Sequence, residues 1–119
     1  MQTILVVEDD PLVRLHVCGA LEDEGYRVVQ AGRGDEALDA LAANDAVSLI
    51  VSDVRLPAEL DGVQLIQEAK RRRPDLSVVI ASGLGEGDLQ LPDGVTLLRK
   101  PFGIGALLAA CRTAALLTT

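Results

Sequence analysis

The sequence has few of the side chains that build zinc sites or disulfide frameworks. It contains one histidine, His16, and two cysteines, Cys18 and Cys111, which lie far apart in apolar helical patterns. Because no pair of His or Cys residues has metal-ligand spacing, the sequence excludes a zinc site. We expect both thiols to be buried and reduced.

Long apolar runs and positive charge are also scarce. No run is long enough to span a bilayer, and the chain does not begin with a basic segment followed by an apolar one, so we expect a cytoplasmic protein without a membrane segment. The net charge of −7 argues against binding to nucleic acid or to an anionic membrane. The basic cluster 71–73 precedes Pro74 at the end of a predicted helix, where cations stabilise the negative helix end.

The remaining pattern is one of short apolar runs alternating with helical segments. The length of 119 residues predicts one domain, residues 1–119. Strands are predicted at residues 3–7, 27–31, 49–53, 77–81 and 95–99, and helices at 11–24, 36–43, 63–73 and 104–117. This alternation predicts an α/β fold with a doubly wound, five-stranded parallel sheet. Residues 84–94 carry three glycines and a proline, which favours a loop or one irregular turn over a regular helix.

Polar side chains follow four of the predicted strands. Glu8 and Asp9 come directly after the first strand, Asp53 ends the third, Ser82 follows the fourth and Lys100 follows the fifth. In a parallel sheet the carboxyl ends of the strands lie at one edge, where ligands bind. We therefore expect these five side chains to lie close together.

Three carboxylates gathered without as many cations repel one another unless they share a cation. Mg²⁺ prefers oxygen ligands and is commonly held by carboxylates together with a phosphate, so Glu8, Asp9 and Asp53 are candidate Mg²⁺ ligands. Asp53 is then a candidate nucleophile toward phosphorus. Lys100 and the Ser82 hydroxyl are candidate partners for the phosphoryl oxygens.

Each of these residues also has an ordinary interpretation when it is taken alone. Acids after a strand often cap a helix, a serine such as Ser82 is often a turn residue, and Lys100 before Pro101 suits a surface charge. The functional interpretation gains weight because four separate strand ends carry the residue types that one mechanism needs.

The ordered set of motifs identifies a family. The motifs are ILVVEDD at residues 4–10, LIVSD at 49–53 followed by Leu-Pro at 56–57 and Asp-Gly at 61–62, VVIASG at 78–83, and KPF at 100–102. Together they resemble the receiver domain of bacterial two-component response regulators. The resemblance covers essentially the whole chain.

The resemblance implies a flavodoxin-like fold with strand order 2-1-3-4-5. It implies that Asp53 is the phospho-acceptor, that Glu8, Asp9 and the backbone carbonyl of Arg55 join Asp53 in binding Mg²⁺, and that Ser82 and Lys100 contact the phosphoryl group. The phosphate would come from a sensor histidine kinase or a histidine phosphotransfer protein. A receiver catalyses only its own phosphorylation and dephosphorylation. His16, on the first helix, is interpreted as an ordinary helix residue away from this site rather than a phosphorelay histidine.

The sequence departs from the common receiver pattern in three places. Leu97 stands where receivers usually carry an aromatic residue, the segment between Ser82 and Lys100 is short and glycine-rich, and residues 57–62 include one extra residue. We therefore expect a short or irregular fourth helix and no aromatic switch. Residues 81–85 are similar to an atypical subgroup with a Phe-Ala-Thr-Gly-like motif.

Three points about output and class stay open at this stage. We expect a single-domain regulator that signals by protein contact, in which the apolar ladder of the last helix is core, although a weak homodimer remains an alternative. One alternative function is a pseudo-receiver that binds a partner without being phosphorylated. Another is a small Mg²⁺-dependent phosphohydrolase, but such enzymes commonly need a second acid where Arg55 stands.

Overall fold

A computed structural model of the chain describes residues 2–57, 60–83 and 91–117. Its elements follow in the order β1 (Thr3–Val7), α1 (Pro11–Asp23), β2 (Arg27–Ala31), α2 (Gly34–Ala43), β3 (Val47–Asp53), α3 (Gly62–Arg72), β4 (Ser77–Ser82), β5 (Val95–Arg99) and α4 (Ile104–Leu117). The predicted elements are confirmed, with α2 and β3 each beginning two residues earlier than predicted. The predicted irregular segment falls mainly on residues 84–90, which lie outside the described residues.

The five strands form one parallel sheet in the order β2-β1-β3-β4-β5, as predicted. Strand β3 is central and pairs with β1 on one side and β4 on the other. The chain passes from β1 outward to β2 and then returns to β3, so the order reverses between β1 and β3. Ligands of open α/β sheets bind at the carboxyl ends of the strands beside such a reversal, which places the expected crevice between Val7 and Asp53.

Helices cover both faces of the sheet. Apolar residues of α1 and α4 pack with one face of the central strands, and those of α2 and α3 pack with the other. Cys18 and Cys111 lie in the first of these clusters, both buried and unbridged, as expected. Burial raises the pKa of each thiol to about 11. Leu107 and Ala114 of α4 are buried too, which confirms that the apolar ladder of this helix is core.

Capping residues fix where the helices begin. The Asp10 carboxylate accepts the N–H groups of Leu12 and Val13 at 2.9 and 3.4 Å, and Pro11 occupies the first turn, as predicted. Asp61 and Gln64 form a capping box at the start of α3. Among the described residues, none of the helices has the length and hydropathy needed to cross a bilayer.

The basic cluster at the end of α3 has two different roles. Arg71 and Arg72 pair with Glu68 on the exposed side of the same helix. Arg73 instead crosses to the turn between α2 and β3, where its guanidinium donates to the carbonyl oxygens of Val47 at 2.7 Å, of Asn44 at 2.8 Å and of Leu41. The interpretation of the cluster as cations at the end of their own helix is therefore incomplete, because Arg73 satisfies carbonyls of a neighbouring segment.

Candidate functional site

The acids predicted to share a cation lie together. One carboxylate oxygen from each of Glu8, Asp9 and Asp53 is within 4.8 Å of the other two, at the edge where β1 and β3 end. Glu8 and Asp53 are buried, with 9 % and 7 % of their surface exposed, whereas Asp9 is open to solvent. A cluster of hard oxygen donors with one open side suits a divalent cation that keeps part of its water shell.

Burial changes the proton affinity of Glu8. Loss of hydration raises the pKa of its carboxyl to about 7, the Asp10 N–H at 3.1 Å from Oε1 partly offsets this, and the negative charge of Asp53 adds to the rise. Burial among these acids therefore favours the protonated form of the Glu8 carboxyl in the metal-free cluster. A divalent cation bound there would favour the ionised carboxylate and displace this proton.

Asp53 is held from two sides. The ammonium nitrogen of Lys100 lies 2.5 Å from Oδ2, and the backbone N–H of Arg55 donates to Oδ1 at 3.1 Å. The Lys100 main chain is itself fixed, because its N–H donates to the Ser82 carbonyl at 2.8 Å. The peptide bond between Lys100 and Pro101 is cis. The Asp53 carboxylate thus has a defined orientation.

The remaining predicted site residues lie at the same sheet edge. Ser82 is the last residue of β4 and is buried, with Oγ 3.4 Å from the carbonyl oxygen of Gly83. Arg55 is two residues after Asp53, and its side chain is exposed. That its carbonyl is a metal ligand stays a prediction. Leu97, which replaces the usual aromatic residue, lies on β5 and is 41 % exposed. Of residues 57–62, which include the extra residue, Ala58 and Glu59 lie outside the described residues.

A glycine outside the predicted site residues packs closely against Asp53. The Gly62 N–H donates to the Val54 carbonyl at 2.8 Å, which ties the start of α3 to the residue after Asp53. A Cβ at this position would lie 2.0 Å from the Asp53 carbonyl oxygen. The Asp-Gly pair at 61–62 was visible in the sequence as a motif, but the close approach of the start of α3 to the end of β3 was not.

An apolar groove adjoins the site. It has a volume of about 600 Å³ and runs between α1 and the segment after β5. Its lining residues are Val13, His16, Val17, Gly83, Lys100, Pro101 and Phe102. His16 shares this groove with Lys100, but it does not line the smaller cavity that is lined by Glu8 and Asp53. The exposed position of His16 on α1 is nevertheless as interpreted.

Comparison with known proteins identifies the family. Residues 4–112 match the family model of the response regulator receiver domain. The chain belongs to this family. The assignment covers every strand of the sheet and all of the candidate site residues.

Individual receivers have a similar sequence and fold. The chain is 33 % identical over 106 residues to the response regulator receiver protein CpdR of Brucella abortus, covering 86 % of this chain and 87 % of CpdR. It is 36 % identical over 110 residues to the sensor kinase CckA of the same organism, covering 88 % of this chain but only 12 % of CckA. A response regulator receiver protein from Sinorhizobium medicae has a crystal structure that superposes with a TM-score of 0.87 at 27 % identity, covering 97 % of this chain and 94 % of that one.

Proposed function

We propose that this receiver accepts a phosphoryl group on Asp53 in a Mg²⁺-dependent reaction. The donor is a phosphohistidine of a sensor kinase or of a phosphotransfer protein in the cytoplasm, and the phosphorylated receiver signals by protein contact. One observation carries the proposal: the buried Asp53 carboxylate lies between two further acids, Glu8 and Asp9, and the Lys100 ammonium. The residues required for phosphoryl transfer thus converge on one carboxylate.

Transfer makes one bond and breaks one. A carboxylate oxygen of Asp53 bonds to phosphorus as the P–N bond of the phosphohistidine breaks, and the electron pair of that bond returns to the imidazole nitrogen. Lys100 is held 2.5 Å from the nucleophile and can neutralise negative charge on the phosphoryl oxygens, while the Ser82 hydroxyl can donate to another oxygen. Hydrolysis by water returns Asp53 to its free state, so the receiver turns over no separate substrate.

The donor set fits Mg²⁺. Glu8, Asp9 and Asp53 would hold the ion together with the carbonyl of Arg55, all through oxygen atoms. When bound, the ion offsets the charge that develops on the transferring phosphoryl group. The raised pKa of Glu8 and the proposed affinity for Mg²⁺ have the same origin. Burial among other acids penalises a negative charge that no cation shares.

The groove supports a protein donor. Lys100, whose ammonium contacts Asp53, also forms part of the wall of the 600 Å³ groove. The exposed part of that groove is largely apolar, with Val13 and Phe102 on opposite sides. An apolar surface beside the reacting carboxylate favours a partner that buries it over a small solvated donor.

The direct experiment is intact-mass spectrometry after incubation with Mg²⁺ and acetyl phosphate. We expect one phosphoryl adduct on the wild type, and no adduct on Asp53→Ala or in a metal-free sample. Adduct formation on Asp53→Ala would contradict the assignment of the acceptor.

One alternative, a pseudo-receiver that only binds a partner, is favoured by a single feature, the exposed Leu97 in place of an aromatic residue. A Mg²⁺ titration separates the two, because the pseudo-receiver interpretation predicts no binding. The phosphohydrolase alternative has less support, since the position for its second acid is Arg55, whose side chain is exposed.

A further inference from the structure

We propose that Arg14 is a positioning residue for the metal site, holding the peptide unit that joins Glu8 to Asp9. The inference rests on the proposed function, because it concerns the affinity of this site for Mg²⁺. Arg14 lies in the first turns of α1. Its guanidinium contacts the main-chain carbonyl of Glu8 rather than a carboxylate, so Arg14 is not itself a ligand.

The guanidinium of Arg14 links three segments. Its Nη1 donates to the carbonyl oxygen of Glu8 at 2.7 Å, and its Nε donates to Oε1 of Gln30, on β2, at 3.3 Å. The backbone N–H of Arg14 also donates to the Asp10 carbonyl at 2.9 Å. One planar side chain therefore connects helix α1, the turn after β1 and the neighbouring strand β2.

The Glu8 carbonyl is a sensitive point of attachment. It belongs to the planar peptide unit between Glu8 and Asp9, so its direction determines how both residues present their carboxylates. The N–H of Glu8 is fixed separately by the Ala31 carbonyl at 3.1 Å. Without Arg14, the bond from the Glu8 N–H to the Ala31 carbonyl remains, but the Glu8 carbonyl loses the side-chain donor that fixes its direction.

Gly32 leaves the space that this arrangement needs. A Cβ at Gly32 would lie 3.1 Å from Nη1 of Arg14, closer than most real contacts of a Cβ atom. The guanidinium thus packs against the Gly32 backbone just after β2. The lack of a Cβ at Gly32 thus leaves room for the orientation in which Nη1 reaches Glu8.

The charge of Arg14 and its positioning role predict opposite changes in the affinity for Mg²⁺ when Arg14 is removed. A cation near a cation site lowers its affinity for Mg²⁺, so removing the Arg14 charge alone would tighten binding. Loss of a group that orients metal ligands weakens binding, commonly by a factor of about 10 to 100. The sign of the change in Mg²⁺ affinity therefore tells the two effects apart.

The test is a calorimetric Mg²⁺ titration of the full chain, with Arg14→Ala, Arg14→Lys and Arg33→Ala beside the wild type. Arg33→Ala is the matched control, because it removes the same charge after β2 from a residue that pairs with Asp35. We expect the Kd for Mg²⁺ to rise about tenfold in Arg14→Ala and less in Arg14→Lys, with no rise in Arg33→Ala. We also expect acetyl phosphate labelling of Arg14→Ala to recover at saturating Mg²⁺.

An unchanged or lower Kd in Arg14→Ala would overturn the proposal, provided that the wild type binds Mg²⁺. Thermal unfolding without Mg²⁺ checks the fold of each variant. If Arg14→Ala does not fold, Arg14→Met, which keeps a long unbranched side chain but has no donor for the Glu8 carbonyl, carries the test, and a wild-type Kd in that variant would overturn the proposal. A wild type that binds no Mg²⁺ would instead refute the proposed function, so the two failures are distinguishable.

Discussion

Replacement of Gly62 by alanine tests how tightly α3 packs against the acceptor strand. The added Cβ would lie 2.0 Å from the Asp53 carbonyl oxygen, 2.7 Å from Cα of Val54 and 2.8 Å from the Val54 carbonyl oxygen. All three are backbone atoms, so no side-chain rotation relieves the contact. The start of α3 must move away from Asp53 by about 1 Å.

The expected cost follows from the contacts that this movement breaks. In the variant this movement would strain the hydrogen bond from the Gly62 N–H to the Val54 carbonyl, now 2.8 Å, and the one from the Val54 N–H to the Ala81 carbonyl, now 3.0 Å. Each contributes about 1 kcal/mol, and overpacking adds about 1–3 kcal/mol. Alanine regains up to about 1 kcal/mol through its helix propensity. We expect a net loss of about 2–4 kcal/mol in the free energy of unfolding.

Urea denaturation followed by far-UV circular dichroism measures this loss. Gly19→Ala is the matched control, because Gly19 lies within α1 and its added Cβ would meet no atom within 4 Å. The control is expected to gain up to about 1 kcal/mol. A Gly62→Ala variant within about 0.5 kcal/mol of the wild type would refute the packing argument.

The other predictions concern Arg73, Glu8 and Lys100. Arg73→Ala removes the guanidinium donor from the carbonyls of Leu41, Asn44 and Val47, of which that of Asn44 keeps the Val47 N–H at 3.2 Å, and should lower the free energy of unfolding by about 2–3 kcal/mol. Arg71→Ala loses only an exposed pair with Glu68 and should leave the free energy of unfolding unchanged in the same urea titration. The pKa of Glu8 is about 7 in the fold against an ordinary value of 4.5. Between these two pH values the folded state therefore binds more protons than the unfolded state. The free energy of unfolding without Mg²⁺ should fall as the pH rises through about 7, and the affinity for Mg²⁺ should rise over the same range. Calorimetry in buffers of different ionisation enthalpy should show proton release on Mg²⁺ binding near about pH 6, and its absence would contradict the raised pKa. Lys100→Met removes the cation 2.5 Å from Asp53, so it should tighten Mg²⁺ binding while slowing labelling by acetyl phosphate. Weaker Mg²⁺ binding in this variant would contradict the prediction.

The sequence predicts those features that depend on local pattern and on strand topology. Strand β5 and helix α4 have the predicted bounds, because an apolar run of strand composition and an Ala/Leu-rich segment identify themselves locally. Asp9 and Asp53 are far apart in the chain, yet their proximity was predictable because parallel strands end at one edge.

Features that depend on contact between distant segments were not predictable. Helix α2 begins at Gly34, where a Cβ would lie 2.7 Å from the Leu60 carbonyl, so a partner 26 positions away sets the packing at its first turn. Arg14 and Arg73 donate to backbone carbonyls, which every residue carries, so no residue type in the sequence indicates their partners. The pKa of Glu8 depends on burial, which only the assembled sheet determines.

The central claim is that Asp53 itself carries the phosphoryl group. Its most direct test is borohydride reduction of the receiver after incubation with acetyl phosphate and Mg²⁺, followed by peptide mapping, because reduction converts an aspartyl phosphate to homoserine at the modified position. The account predicts homoserine at position 53, dependent on Mg²⁺. Homoserine at any other aspartate, with position 53 unmodified, would contradict it.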